Sequence, residues 1–113
     1  MLLTDIVLGE SPRWHAGRIW FCDWGAGEVI AGGEPAPGLI AVVTPDGAAR
    51  QVADGVMFPN GMAVSADDTT LIVAESYASR LTAFDIAADG SLSGQRVWAP
   101  LENAAPDGIC IDA

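Results

Sequence analysis

Phe58-Pro59-Asn60-Gly61-Met62-Ala63-Val64, continued by Leu71-Ile72-Val73-Ala74-Glu75 and Leu81-Thr82-Ala83-Phe84-Asp85-Ile86, decides how this chain folds. A Pro-Asn-Gly turn is followed by short β-forming runs, each closed by turn residues. The opening recurs as Pro106-Asp107-Gly108-Ile109-Cys110-Ile111-Asp112, and more loosely as Gly9-Glu10-Ser11-Pro12-Arg13-Trp14. Each copy sets one oxygen-bearing side chain, Glu10, Asn60 or Asp107, ahead of an apolar run. These three stand 50 and 47 residues apart. A repeat of about 40–50 residues is that of one propeller blade.

The runs after Asn60 fill one such unit. Met62 to Val64, Thr70 to Glu75, Arg80 to Ile86 and Arg96 to Ala99 read as four strands. Ala66-Asp67-Asp68, Ser76 to Ser79 and Asp89-Gly90-Ser91 read as the turns between them. Upstream, Leu2 to Leu8, Arg18 to Asp23, Gly38 to Thr44 and Ala49 to Ala53 read as strands, with Pro45-Asp46-Gly47 as a hairpin turn. Glu28-Val29-Ile30 begins a strand, and the following Ala31 to Pro37, with two Gly and two Pro, forbids its continuation. No stretch of ten residues carries a helical period. The predicted fold class is all-β: a partial propeller of about two four-stranded antiparallel blades with extra edge strands. The expected organisation is one domain over 1–113. Residues 1–57 form a composite blade with a loop at 28–37, 58–99 a complete blade, and 100–113 the first strand of a further blade.

The chain has 113 residues, half of them hydrophobic, enough for one domain with a real core. Net charge is −10, from 15 acidic residues against five arginines and no lysine. That balance excludes a nucleic-acid phosphate partner and an anionic membrane surface. It leaves two readings, an acidic solubilising surface or cation binding. Cys22 and Cys110 lack metal-ligand spacing and read as reduced core thiols. No basic leader precedes Asp5 and no apolar run spans a bilayer, so a cytoplasmic location is expected.

With these motifs in order, the chain resembles the SMP-30/gluconolactonase family, the six-bladed propellers related to regucalcin. Gly9 to Trp14, Phe58 to Met62, Ser65 to Asp68, Arg80 to Asp85, Asp89-Gly90 and Pro106 to Asp112 carry the resemblance. It implies one divalent cation (Ca, Zn, Mg or Mn) held by Glu10, Asn60 and Asp107. It also implies lactone (ester) hydrolysis with a small, sugar-derived lactone as substrate and Asp107 as catalytic base. Family chains are more than twice as long, so this one looks internally and C-terminally shortened. The blades that would supply a substrate-contacting Asn and Arg find no match here, and substrate-binding residues are unknown. Two blades cannot close a ring, which predicts marginal stability, or self-association through exposed blade faces that supplies the missing neighbours. The alternative is a catalytically inactive truncated propeller with at most weak calcium binding.

Read without the resemblance, the same residues have plainer roles. Asn60 and Asp107 before Gly are turn residues, and Glu10 is a solvated carboxylate. His15 has no motif partner and reads as a surface residue. Trp14, Trp20, Trp24 and Trp98 read as inter-strand packing, and Arg13 as half of an ion pair. The donor chemistry nevertheless suits a hard cation, because carboxylates and amide oxygens are the ligands such ions prefer.

Overall fold

The chain forms two four-stranded antiparallel sheets. The computed structural model describes residues 9–15, 17–23 and 37–112, with the side chains of 17–20 and 37–112. The first sheet runs in chain order through β1 (Gly9–His15), β2 (Arg18–Asp23), β3 (Gly38–Val43) and β4 (Ala49–Val56). The second runs through β5 (Pro59–Val64), β6 (Thr70–Glu75), β7 (Arg80–Ile86) and β8 (Leu92–Pro100). A single turn of 3-10 helix, Ser76–Ala78, links β6 to β7. β2 and β3 pair from Ile19↔Val43 to Asp23↔Leu39, so one sheet bridges the Gly/Pro-rich segment. The strands expected at Leu2 to Leu8 and Glu28 to Ile30 lie outside the described residues.

Three of the hairpins, β3–β4, β5–β6 and β7–β8, share one chemistry. In each, an aspartate accepts the N–H two residues on, and a left-handed residue closes the turn. Asp46 takes Ala48 N–H at 3.1 Å, Asp67 takes Thr69 N–H at 3.2 Å, and Asp89 takes Ser91 N–H at 2.9 Å. Gly47, Asp68 and Gly90 are the left-handed closers. The Thr44 hydroxyl at Asp46, the Ser65 and Thr69 hydroxyls at Asp67 and the Ser91 N–H at Asp89, helped by the remaining bonds, hold each carboxyl below its ordinary value.

The sheets pack face to face. Trp20, Ile40, Val42 and Val56 of the first meet Met62, Leu71, Val73 and Phe84 of the second in one buried cluster. Cross-strand register puts those second-sheet residues on one face, as Met62↔Val73 and Leu71↔Phe84. At the rim, two first-sheet arginines grip the β7–β8 turn. Arg18 donates to Ala88 C=O, and Arg50 donates to Asp89 C=O at 2.7 Å and Ser91 Oγ at 3.1 Å. Gly90 suits that turn because its φ of 88° is one that side chains rarely adopt.

Two element boundaries differ from the sequence reading. Pro59 and Asn60 belong to β5, because a bulge between Pro59↔Glu75 and Met62↔Val73 absorbs the turn chemistry within the ladder. β8 begins at Leu92 rather than Arg96; its residues are mostly exposed, so burial gives them no alternation. Two packing expectations are corrected as well. Trp98 is 55% exposed, and Cys110 is a free, exposed thiol. Both face a side of the second sheet that the first sheet does not cover. Trp20, in contrast, is buried as expected. Trp14, Trp24, Arg13, His15 and Cys22 have side chains outside the described residues.

Among the described residues the core holds one fully buried carboxylate, Glu75. It accepts Arg80 Nε–H at 2.7 Å, the Thr82 hydroxyl, and Met57 N–H at 2.7 Å. Burial pushes its carboxyl up, but the Arg80 guanidinium, the Thr82 hydroxyl and Met57 N–H together outweigh that. They hold it below its ordinary value of 4.5.

Two outcomes follow from this packing. Phe84→Ala opens a hole between the sheets and lowers unfolding free energy by about 3–5 kcal/mol in urea titrations. Glu75→Gln costs about 2 kcal/mol at neutral pH, since it removes the charge that Arg80 pairs with. A depressed folded value means that Glu75 stabilises the fold above pH 4.5 and stops doing so as pH falls towards its folded value. The gap between wild type and Glu75→Gln therefore narrows on acidification. A gap of constant size across pH 7 to 3.5 (about the carboxylate range) contradicts this role.

Candidate metal centre

The chain brings two of the three expected ligand positions together at the backbone. Asn60 is the second residue of β5 and is half-buried; Asp107 sits in the extended segment after β8 and is exposed. Gly61 N–H donates to Asp107 C=O at 2.9 Å. The Pro-Asn-Gly and Pro-Asp-Gly segments thus lie side by side. Their approach leaves no room for a side chain at position 61. A Cβ there would stand 2.5 Å from Asp107 O, 2.6 Å from Ile109 N and 2.7 Å from Gly108 Cα. All three are backbone atoms that cannot swing aside, so glycine is dictated at 61. Gly108 is different, because a Cβ there meets nothing within 4 Å.

The third position lies on the neighbouring strand. Glu10 is the second residue of β1, opposite Cys22, and β1 lies beside β5 although the two belong to different sheets. β5 therefore has β1 as a neighbour and the 106–109 segment as another. The Glu10 side chain is outside the described residues. Among the described residues no three His, Cys, Asp or Glu form a metal-binding group. The expected set is not such a trio among them, since Asn60 brings an amide oxygen and the Glu10 side chain is not described.

The scaffold under the two turns is polar and bonded. Met57 N–H is held by Glu75, and Tyr77 N–H donates back to Met57 C=O at 3.2 Å. Ser76 N–H donates to Phe58 C=O at 3.1 Å, and Ser76 Oγ–H donates to Pro106 C=O at 2.5 Å. Phe58 has φ of 53°, unusual for a bulky side chain, and its ring stacks on Tyr77 at 4.4 Å between centroids. Sequence reading gave Glu75 and Ser76 no part in the site. Their partners lie 18 to 30 residues away in the chain, and a strand end followed by a turn carries no pattern that names them.

The described arginines are all engaged: Arg18 and Arg50 on the β7–β8 turn, Arg80 on Glu75, Arg96 on Asp85. Among the described side chains the junction therefore presents oxygen donors. Glu, Asn and Asp oxygens fit a hard divalent cation, and three protein ligands leave positions open for water and substrate. Behind the junction, Ala63, Ile72, Leu81 and Trp98 line an open cavity of about 340 Å³ that Ile109 and Ile111 border from the other side.

Comparison with known proteins agrees with this architecture. The family model for the SMP-30/Gluconolactonase/LRE-like region matches residues 12–113. A gluconolactonase from Xanthomonas campestris superposes with a TM-score of 0.74 at 30% identity, over 92% of this chain and 38% of that one. A luciferin-regenerating enzyme superposes with a TM-score of 0.74 at 24% identity, over 92% and 34%. A calcium-binding regucalcin from Agrobacterium tumefaciens gives a TM-score of 0.65 at 24% identity, over 80% and 30%. The chain thus spans about a third of the length of these structures. From repeat, sheets and motif match together, this chain belongs to the SMP-30/gluconolactonase/LRE-like family.

Proposed function

We propose that the chain serves a metal-dependent lactone hydrolase of the gluconolactonase type, with Asn60, Asp107 and Glu10 as the cation's ligands. The observation that carries this reading is the 2.9 Å backbone bond that sets the Asn60 and Asp107 turns side by side. The gluconolactonase at 30% identity supports the reaction class, and the calcium-binding regucalcin supports a cation. A small sugar-derived lactone is the proposed substrate, and the cytoplasm the proposed location. Among the described residues no helix is long and apolar enough to cross a membrane.

A divalent cation bound at this junction supplies a Lewis acid for the lactone carbonyl. Asp107, exposed on its turn, accepts the proton of the attacking water. The water oxygen bonds to the carbonyl carbon, the ring C–O bond breaks, and the proton held by Asp107 passes to the ring oxygen, which leaves as a hydroxyl of the open-chain acid. Asn60 is neutral, so it orients without adding charge to a site that already holds carboxylates. The half-buried Asn60 turn keeps its approach fixed while the Asp107 side stays open to solvent.

A second reading is favoured by the uncovered apolar face. Trp98 and Ile111 are each about half exposed and border the open cavity. On that reading the chain is an inactive propeller piece that binds calcium weakly and self-associates through this face.

One experiment separates the readings. Glucono-δ-lactone hydrolysis is followed with Ca²⁺, Zn²⁺, Mg²⁺ or Mn²⁺ for wild type and Asp107→Ala. The hydrolase reading expects cation-dependent turnover that Asp107→Ala lowers about a hundredfold or more. Cation binding without any turnover selects the second reading.

A further inference from the structure

Ser76 touches both turns that carry the proposed ligands. It is 9% exposed and opens the 3-10 turn between β6 and β7. Its backbone N–H donates to Phe58 C=O at 3.1 Å, two residues before Asn60. Its hydroxyl donates to Pro106 C=O at 2.5 Å, one residue before Asp107. The same residue thus holds one carbonyl on each turn. Each of those carbonyls adjoins a segment with little freedom. Phe58 is in the left-handed region and precedes a proline. Pro106 has a fixed φ and no N–H of its own. Fixing these carbonyls fixes where the next one or two residues point.

From this we infer that Ser76 is a positioning residue that sets the separation of Asn60 and Asp107. The inference rests on the metal-centre reading given above. The hydroxyl acts on the Asp107 turn, and the backbone N–H acts on the Asn60 turn. Glu75, one residue earlier, immobilises the base of this clamp through Met57 N–H at 2.7 Å. The Gly61 N–H bond to Asp107 C=O closes the same small circuit from the opposite side. Removing the hydroxyl releases the Pro106 carbonyl and leaves the Phe58 bond in place. The Asp107 turn then moves relative to a β5 that stays put. Residues that orient ligands in this way typically change metal affinity about tenfold to a hundredfold.

The test uses Ser76→Ala and two readouts. The first is amide hydrogen exchange in the metal-free chain, read at Gly61 and, as control, at Val73 and Ala83 in the β6–β7 ladder. The second is the Ca²⁺ and Mn²⁺ dissociation constant by isothermal titration, with Asp107→Ala alongside. The clamp predicts exchange at Gly61 about tenfold faster with unchanged controls, and cation affinity weakened about tenfold or more. Unchanged Gly61 exchange overturns it. So does unchanged affinity in Ser76→Ala when Asp107→Ala abolishes binding. If Asp107→Ala leaves cation binding intact, the metal-centre reading fails, and the Gly61 exchange still decides whether Ser76 fixes the junction. Ser76→Cys, close in size with a far weaker donor, carries the same two readouts if the alanine variant exchanges faster everywhere.

Discussion

A hydrogen bond of 2.9 Å from Gly61 N–H to Asp107 C=O holds the candidate site together, made where a single methyl group has no room. Everything nearby serves that approach. β5 must reach the junction as an edge strand with a free N–H at 61. The segment after β8 must come back alongside it. The bulge at Pro59 to Met62 turns Asn60 out of the regular ladder, as bulges near sites commonly do. The apolar cluster between the sheets, from Trp20 to Phe84, fixes the platform on which β5 rests.

Charge is distributed to suit this arrangement. Net charge is −10, yet the aspartates of the three hairpins spend their oxygens on local N–H and hydroxyl groups. Glu75 is spent on Arg80, Thr82 and Met57. The arginines with described side chains are bound to carbonyls or carboxylates. Asp107 lies at the meeting of two turns, exposed to solvent. The four arginines with described side chains, Arg18, Arg50, Arg80 and Arg96, are bonded elsewhere.

Much of the fold was legible in the residues. Thr70 to Glu75 and Arg80 to Ile86 form strands with the predicted bounds, because each is an unbroken β-forming run closed by turn chemistry. Asp-Gly and Asp-Asp pairs marked the hairpins for the same local reason. What failed depended on contacts distant in sequence. β8 is exposed and bulged, so no alternation announced its first four residues. Trp98 and Cys110 are apolar in type, and type reports that a face is greasy without reporting what lies on it. At the site, the motif placed Asn60 and Asp107, but their mutual approach came from Gly61, and their support from Glu75 and Ser76. Those bonds join residues that no periodicity links.

Paramagnetic broadening by Mn²⁺ reads the central claim most directly. Substoichiometric Mn²⁺ is added to the isotope-labelled chain and amide signals are followed. The account predicts that Asn60, Gly61, Asp107 and Gly108 fade first, while the hairpin turns at Asp46, Asp67 and Asp89 persist. Fading that begins at those hairpins, or that spreads evenly over the acidic surface, contradicts a cation centre built on the two apposed turns.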